Sequence, residues 1–376
     1  MQNKINKLNM DYDKTNLLSK ISRIPFIIPL TVSILCIYSF ILLYSASGGY
    51  LAPWALKQII AFCIFMPISI LIAILDLRLI YHFAYFPYLF TLISLIIVEF
   101  MGKSAMGATR WIDMGIVSIQ PSELMKLSLI LMLAKYFHDN HKYQFHKTSV
   151  IIPIIASLLP IILVMKQPDL GTAIVMSAVA ITIFFVAGIR LIYFGILSFI
   201  GMATLPLAWF AMRDYQRNRV LTFLDPERDP LGAGYNIIQS KIAIGSGGLL
   251  GRGLFNGTQS QLKFLPEYQT DFIFSFLAEE LGFVGGVILI ILYTVLIISS
   301  LSLATHCKSN FAKFIVTGII TLFFIHIFIN IAMVMGLLPV VGIPLPLISY
   351  GRTMMVSMLI GFGLIMNAAI NQRTNI

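Results

Sequence analysis

Long apolar stretches recur along the whole chain, and they constrain its fold more than any other feature. Ten windows of about 20 mostly apolar residues follow one another, at 24–46, 54–75, 79–100, 120–137, 148–165, 170–188, 191–212, 272–298, 314–336 and 350–370. Each is long enough to cross a bilayer as a helix, which satisfies its own backbone hydrogen bonds without water. The sequence therefore predicts an all-α polytopic membrane protein with ten transmembrane helices and both termini on one side.

The composition agrees with a membrane protein, because 58% of the residues are apolar and only 11% are charged. Two windows are less regular than the others. The window at 120–137 contains the charged residues Glu123, Lys126 and Lys135, and the window at 148–165 is short and contains Pro153 and Pro160. Since we find neither a soluble domain nor an internal repeat, residues 24–370 are predicted to form one membrane domain.

The Lys and Arg residues of the short loops predict the orientation. In a ten-span arrangement they fall mainly on the side of the termini, at Lys4, Lys7, Lys14, Lys20, Arg23, Arg78, Lys142, Lys147, Arg190, Lys308, Lys313 and Arg373. Short loops rich in these residues face the cytoplasm, so residues 1–23 and 371–376 are expected to be cytoplasmic and the first span an uncleaved anchor. The net charge of +10 then reflects topology and attraction to anionic membrane lipids, and no basic cluster is dense enough to indicate nucleic acid.

Polar residues on the opposite side are concentrated in two segments. The first, 101–123, carries Arg110 and Trp111, which suit either an interfacial anchor or the binding of a pyrophosphate with its lipid or sugar. In the sequence Gln-Pro-Ser-Glu-Leu-Met-Lys that follows, Glu123 and Lys126 share a helix face about one turn inside the bilayer. This pair is either a functional polar site or an ion pair that only locks two helices together.

The second polar segment is the large extracytoplasmic loop at about 213–271. Its basic and acidic residues are nearly equal in number, so the loop as a whole is not expected to attract anions. Residues 235–244 have the apolar spacing of a helix and are expected to lie along the membrane surface. The glycine-rich stretch 245–253 matches no nucleotide-binding motif, but its backbone amides are expected to be able to wrap an anion.

Asp271 lies where this loop enters the next apolar window. A carboxylate at the boundary between water and hydrocarbon indicates a functional site. The alternative is a helix-start acid, with Thr270 as the cap and Asp271 complementing the helix dipole. Further along, Glu279 and Glu280 are adjacent, and because neighbouring side chains diverge by about 100° around a helix, at most one of them is expected to meet substrate.

Three other patterns carry less weight. His138, His141 and His146 have the spacing of metal ligands, but they share a short cytoplasmic loop with Lys residues, so we discount a metal site there. Gly282 and Gly286 form a G-x-x-x-G pattern, which indicates close helix packing. The three cysteines are expected to be free thiols.

Several longer motifs together resemble one family of membrane proteins. They are Lys166-Gln-Pro-Asp-Leu-Gly-Thr-Ala173, Leu224-Asp-Pro-Glu-Arg-Asp-Pro-Leu-Gly232, Gly234-Tyr-Asn-Ile-Ile-Gln-Ser240, Asn256-Gly-Thr-Gln-Ser260, Leu265-Pro-Glu-Tyr-Gln-Thr-Asp-Phe272 and Leu338-Pro-Val-Val-Gly-Ile-Pro-Leu-Pro346. The chain resembles the SEDS (shape, elongation, division and sporulation) family from about residue 44 to its last span. The motifs are closer to the elongation members of that family than to the division members.

This resemblance implies a ten-helix polymerase of the bacterial cytoplasmic (inner) membrane. Such an enzyme joins lipid II to an undecaprenyl-pyrophosphate-linked glycan on the outer face, within the elongation machinery and beside a class B penicillin-binding protein that cross-links the strands. By motif, Asp271 is the residue that the family treats as essential, and Glu123 and Lys126 are functionally important. Relatives usually read Ser-Tyr-Gly-Gly before the last span, whereas this chain ends the motif with Arg352.

Glycosyl transfer from a lipid pyrophosphate needs a base for the acceptor hydroxyl and donor groups for the departing pyrophosphate. Asp271 is the candidate base for the acceptor's 4-hydroxyl, and a single carboxylate implies inversion without a covalent intermediate. The candidates for substrate or pyrophosphate binding are Arg110, Trp111, Lys126, Lys166, Asp169 and Glu267. The sequence assigns no cofactor, although a divalent cation, Mg²⁺ or Mn²⁺, would suit a pyrophosphate.

Two alternatives belong to other functional classes. A lipid II flippase would use Glu123 and Lys126 as part of a polar path, but transporters usually show paired repeats, which we do not find in this chain. A scaffold without catalytic activity would not need Asp271 at all.

Overall fold

The computed structural model describes residues 17–101, 103–105, 108–113, 118–140, 147–212, 214–228, 233–261, 266–374 and 376. Its helices are α1 (Leu17–Ile21), α2 (Ile27–Ala46), α3 (Ala55–Ile74), α4 (Leu77–Phe83), α5 (Tyr85–Met101), α6 (Pro121–Asp139), α7 (Lys147–Lys166), α8 (Leu170–Val186), α9 (Leu191–Ala211), α10 (Asp214–Leu224), α11 (Ala233–Gly247), α12 (Thr258–Gln261), α13 (Ile273–His306), α14 (Asn310–Val334) and α15 (Arg352–Ile370). Three short strands are β1 (Lys103–Ala105), β2 (Ala108–Asp113) and β3 (Ser118–Ile119).

Every predicted apolar window contains a helix, so the predicted membrane fold is confirmed. Five helices are long and apolar enough to cross a membrane, namely α2, α3, α13, α14 and α15, and α4 with α5 makes a sixth span bent by 44°. Shorter apolar helices fill three further windows, at Val150–Lys166, Leu170–Val186 and Leu191–Thr204. The irregular window at 120–137 forms α6, which is buried over almost its whole length. Because protein surrounds this helix, its charged residues need not face lipid.

The helices alternate in direction, so the bundle has two distinct ends. At one end, which we call the termini end, Lys20 Nζ donates to the carbonyl of Ile74, and Lys308 N donates to the carbonyl of Gln372. At the other, the Asp271 end, α13 begins directly after Asp271. Of the three histidines discounted as metal ligands, His138 lies at the termini end, and the other two lie outside the described residues.

A small antiparallel sheet, in the order β1-β2-β3, covers part of the Asp271 end. The strand pairs include Ser104 with Thr109 and Ile112 with Ile119. The sequence analysis did not predict this sheet. Its strands are too short for apolar alternation to be visible, and they lie between two strongly apolar helices.

The predicted helix at 235–244 is present as α11, but it packs on the bundle. Ser240 is fully buried, and it bonds the Ser275 hydroxyl at 2.6 Å and donates to the carbonyl of Val334 at 2.7 Å. These contacts hold α11 against α13 and α14. The expectation that this helix lies along the membrane surface stays a prediction.

The glycine-rich stretch after α11 packs backbone against backbone on α13. A Cβ on Gly251 would lie 2.1 Å from the carbonyl oxygen of Glu280, and the amide of Gly253 donates to that same oxygen at 3.0 Å. A Cβ on Gly282 would lie 2.2 Å from the amide nitrogen of Gly251, and Gly282 breaks α13 with a φ of 66°. The amides of Gly251 and Gly253 bond protein carbonyls, so at these two positions the expectation of an anion site is not supported. The close packing expected at Gly282 is present, and its nearest partner is this glycine-rich stretch.

Both adjacent glutamates of α13 anchor this same region. Glu279 Oε1 accepts a hydrogen bond from the amide of Gln259 at 2.8 Å. Glu280 Oε1 accepts from the hydroxyl of Ser45 at 2.7 Å and from the amide of Phe255 at 3.0 Å. Since both side chains are fully buried, neither is placed to meet substrate.

Candidate functional site at the Asp271 end

Asp271 lies in a turn that precedes α13 and does not cap that helix. The N-cap position belongs to Phe272, and no side chain caps the helix there. The Thr270 hydroxyl bonds Glu267 instead, with Oε2 at 3.0 Å and the carbonyl oxygen at 3.2 Å. The structure therefore gives no support to the alternative in which Thr270 and Asp271 only start a helix.

Two neighbouring segments hold the backbone of this turn. Asn330 of α14 is fully buried, and its amide donates to the carbonyl of Asp271 at 2.9 Å and to that of Ile343 at 2.7 Å. The Ser349 hydroxyl donates to the carbonyl of Thr270 at 2.6 Å. Asp271 as a residue keeps part of its surface exposed, so a rigid turn holds an acid that is still open to the outside.

Gly342 leaves room for this acid. Its φ is +72°, and a Cβ at this position would lie 3.3 Å from Asp271 Oδ2. Left-handed backbone at this point favours glycine, and the missing side chain keeps one face of the carboxylate open.

The charges around Asp271 set its proton affinity. Burial raises the pKa of the Asp271 carboxyl from its usual 3.8 to about 6; Glu267 and, more weakly, Asp169 add to the rise, while Arg219 and Arg110 oppose it. Three of the predicted site residues, Glu267, Asp169 and Arg110, therefore act electrostatically on a fourth, Asp271. Arg219 of α10 joins them, although the sequence analysis saw it only as part of a charge-balanced loop.

Arg110 is fixed beside the start of α8. Its Nε donates to the carbonyl of Gln167 at 3.1 Å, a second guanidinium nitrogen donates to the carbonyl of Pro168, and Nη1 lies 3.8 Å from Asp169 Oδ2. The Arg110 side chain remains 27% exposed. Its charge is thus oriented by backbone carbonyls and still reachable from outside.

The other candidates have different surroundings. Asp169 caps α8 by accepting from the amide of Thr172 at 3.2 Å, so its first role is structural. Trp111 is partly buried and follows Arg110 on β2, where successive side chains point to opposite faces. Lys166 is exposed in the last turn of α7 and is not among the charges that act on Asp271.

The intramembrane pair predicted on α6 is present, and it has a third member. Lys126 Nζ lies 2.8 Å from Glu123 Oε1 and 2.9 Å from His326 Nε2, and none of the three residues is more than 5% exposed. Ser357 of α15 also donates to the Glu123 carbonyl, at 3.1 Å. The cluster ties α6 to α14 and α15, so the geometry favours the lock between helices and does not support direct contact of Lys126 with a pyrophosphate.

His326 and Asn330 are the site residues that the sequence analysis missed. They lie four residues apart on one face of α14, with His326 at the buried ion pair and Asn330 at the Asp271 turn. Two polar side chains at this spacing within an apolar span were the available signal, because intramembrane polar residues usually have a function. Their partners are distant in sequence, so the pairing itself was not visible.

The described residues do not build a metal site from protein ligands alone. No three His, Cys, Asp or Glu side chains among them come together as a cluster of ligands. Glu267 accepts hydrogen bonds from Gln269 and Thr270, and Asp169 caps α8. The two carboxylates whose charges act on Asp271 therefore have other hydrogen-bond partners. The divalent cation therefore stays a prediction from the chemistry of a pyrophosphate substrate.

Comparisons with known proteins agree with these observations. A family model named for FtsW, RodA and SpoVE and described as "Cell cycle protein" matches residues 25–374. Peptidoglycan glycosyltransferase MrdB of Escherichia coli K12 is 42% identical over 335 residues, covering 89% of this chain and 90% of the relative. Stage V sporulation protein E of Bacillus subtilis is 40% identical over 283 residues, covering 74% of this chain and 76% of the relative.

Two solved structures share the fold. One, reported under "Structural coordination of polymerization and crosslinking by a peptidoglycan synthase complex", matches with a TM-score of 0.80 and 32% identity, covering 92% of this chain and 97% of the other. The rod shape determining protein RodA of Thermus thermophilus matches with a TM-score of 0.68 and 26% identity, covering 92% and 96%. The chain therefore belongs to the FtsW/RodA/SpoVE family, the SEDS family whose motifs it carries.

Proposed function

We propose that this protein is a peptidoglycan glycosyltransferase that polymerises lipid II into glycan strands during cell elongation. The observation that carries the proposal is the reachable Asp271 carboxylate, fixed in its turn and influenced by two arginines at one end of the bundle. The name of the 42% identical relative from E. coli supports the same reaction. A bundle without a reachable carboxylate could not supply the base that this reaction needs.

Asp271 acts as the general base. With a pKa of about 6, the carboxyl is mostly ionised at neutral pH and is more basic than an ordinary aspartate. A base whose pKa lies near the working pH combines the correct protonation state with useful proton affinity. Asp271 would take the proton from the 4-hydroxyl of the acceptor sugar as that oxygen attacks the anomeric carbon of the donor.

The stereochemical outcome follows from the neighbouring acids. Glu267 accepts hydrogen bonds from Gln269 and Thr270, and Asp169 caps α8, so neither is free to act as a nucleophile beside Asp271. One available carboxylate suits a single displacement with inversion at the anomeric carbon. The bond to the pyrophosphate oxygen breaks as the new glycosidic bond forms, and the polyprenyl pyrophosphate leaves.

Arg110 and Arg219 supply positive charge for that leaving group. Both lower the proton affinity of Asp271, which places their charges within electrostatic range of the reacting centre. Arg110 has its guanidinium oriented by two backbone carbonyls, and such prior orientation makes a donor effective against developing negative charge.

We place the Asp271 end on the outer face of the cytoplasmic membrane. At the termini end, Lys20, Arg23, Arg78 and Arg373 line one cleft of about 470 Å³ together with a single carboxylate, Asp76. This concentration of basic residues supports a cytoplasmic location for that end. A class B penicillin-binding protein is the proposed partner, supported by the similarity to a structure reported as a complex that coordinates polymerisation and cross-linking.

Polymerisation of fluorescent lipid II by the purified protein tests this function. In detergent micelles there is no second leaflet, so flipping has no meaning and a scaffold produces nothing. We expect long glycan products that a muramidase digests, with the cross-linking partner present to support the active state. Folded wild-type protein that makes no polymer with or without that partner would favour the flippase or the scaffold.

A further inference from the structure

A groove about 460 Å³ in volume opens between α3 and α15 at the Asp271 end. Its lining is mainly apolar, with Ile60, Ile64, Phe65, Leu124, Val356 and Ile360. Ile60 is 50% exposed and Ile64 is 53% exposed, so the groove faces the hydrocarbon of a membrane and not the interior of the bundle. A lipid could enter it sideways.

Two cations lie at one end of this groove. Lys57 belongs to the first turn of α3 and Arg352 is the first residue of α15, while the apolar lining residues lie further along the same two helices. The lining therefore changes from charged to apolar along its length. Such a gradient matches a phosphate headgroup followed by an acyl chain.

Neither cation forms an ion pair with the residues that the structure describes. Within the described part of the chain, no carboxylate lies within ion-pair distance of Lys57 or Arg352. Both residues also sit at helix N-termini that have no side-chain cap, where the helix dipole disfavours positive charge. An anion bound between them would pair with both cations and interact favourably with both helix dipoles. Such an anion would also explain how an arginine is tolerated at position 352, where relatives usually have glycine.

We propose that this groove binds an anionic membrane phospholipid, with its phosphate between Lys57 and Arg352 and one acyl chain along the apolar residues. The remaining polar group of the lining, the Thr353 hydroxyl, lies at hydrogen-bond distance from the carbonyl of Ser118. The groove can therefore bind a negative charge and an acyl chain, but it has few hydrogen-bonding groups for a sugar or a peptide. This composition favours phosphatidylglycerol over a polyprenyl-linked glycan.

Hydrogen bonds link the end of the groove near the cations to the Asp271 turn. Gln58, next to Lys57, is fully buried and donates to the carbonyl of Ser349 at 3.1 Å. The Ser349 hydroxyl in turn donates to the carbonyl of Thr270. A lipid held by Lys57 and Arg352 should therefore raise the unfolding temperature of the protein, since it ties together segments that pack at this end.

Native mass spectrometry of the delipidated full-length protein in detergent tests the proposal, with thermal unfolding as a second readout. The probes are phosphatidylglycerol, phosphatidylcholine with the same acyl chains, and undecaprenyl phosphate. We expect phosphatidylglycerol to bind tightest. Arg352→Gly and Lys57→Gln should each weaken its binding about fivefold, and the double variant about 25-fold, as expected for the loss of one cation each near a lipid headgroup.

The apolar half of the groove has a matched pair of variants. Ile64→Trp should fill the groove and displace the lipid, whereas Leu71→Trp, on the same helix and 62% exposed but outside the groove, should not. Lys57 is exposed, so its substitution should leave folding intact even if a change at Arg352 does not. Equal binding of the two phospholipids, or unchanged phosphatidylglycerol binding by Lys57→Gln and the double variant, would overturn the proposal. Preference for undecaprenyl phosphate would assign the groove to the substrate lipid instead.

Discussion

Asn330 is expected to position the turn that carries Asp271. Replacing Asn330 by leucine allows the effect of this positioning on turnover to be distinguished from its effect on stability. The change keeps the approximate size of the side chain and removes both donated hydrogen bonds, to the carbonyls of Asp271 and Ile343. Hydrogen bonds between membrane helices are worth about 0.6 kcal/mol on average and up to about 1.7 kcal/mol. Two such bonds predict that the free energy of unfolding falls by about 1–3 kcal/mol. The loss is reduced somewhat because the substitution also removes the buried Oδ1 of Asn330, which has no hydrogen-bond partner among the described residues.

The effect on turnover should be larger than this loss of stability suggests. Without its donor, the Asp271 backbone is free to shift, and a displacement of about 1 Å of a catalytic group can cost about 100-fold in rate. We therefore expect lipid II polymerisation by Asn330→Leu to fall about 100-fold, measured well below its unfolding temperature. The fluorescent lipid II assay and a thermal unfolding curve on the same preparation provide both quantities.

Asn367 offers a matched control at the termini end. It is also fully buried on a membrane helix, and its amide lies 2.7 to 3.2 Å from the carbonyl oxygens of Ile72, Ala73 and Leu75. Asn367→Leu should lower stability by a similar amount and leave turnover near the wild-type rate. If both variants lose stability but Asn330→Leu polymerises normally, Asn330 does not position Asp271.

Three further predictions concern topology, pH and the loop anchor. In a variant without the native cysteines, a cysteine at Asn256 should react with an impermeant maleimide in whole spheroplasts, whereas one at Asn140 should react only after lysis; equal labelling before lysis would overturn the orientation. Polymerisation should rise with pH through about 6 and then level off, because the base must be ionised and the pKa of Asp271 is about 6; a rate that does not change between pH 5 and 8 would argue against it. Glu280→Gln should lower the unfolding temperature, since Glu280 accepts from Ser45 and Phe255, while product made below that temperature stays near normal; a complete loss of turnover in the folded variant would give Glu280 a direct role.

The raised pKa of Asp271 also makes a prediction about stability. The folded protein binds this proton more tightly than the unfolded chain, so the carboxyl favours folding below pH 3.8 and this contribution is lost as the pH rises through about 6. Ionisation of Asp271 therefore lowers the free energy of unfolding by at most about 3 kcal/mol between low pH and pH 7.5. Asp271→Asn cannot ionise and does not suffer this loss, so at pH 7.5 the variant should unfold at the same temperature as the wild type or higher.

Much of the fold was predictable because the membrane imposes it. A membrane span needs about 20 apolar residues in a helix, and each of the ten apolar windows contains a helix, although some of these helices are shorter. The irregular window around Glu123 and Lys126 also formed a helix, since these two charges pair with each other and α14 provides His326 as a further partner. Features that depend on contacts between distant segments were not predictable from local pattern.

The glycine-rich stretch shows why local pattern failed. Glycines in a polar loop suggest free amides, but Gly251 and Gly253 use theirs to bond neighbouring protein carbonyls. Nothing in their own sequence indicates the break at Gly282 that they pack against. In the same way, Asp271 was visible as an isolated carboxylate, whereas Asn330 was hidden in an apolar span 59 residues away.

The central claim is that Asp271 removes a proton from the acceptor sugar. Its most direct test is the rate of lipid II polymerisation by Asp271→Asn, which keeps the shape of the side chain but cannot accept a proton. Loss of a positioned general base costs on the order of 10²–10⁴ in rate, so polymer should nearly vanish while the variant stays folded and binds its partner, and Asp271→Glu should retain a small activity. Near-normal glycan synthesis by folded Asp271→Asn would contradict the account.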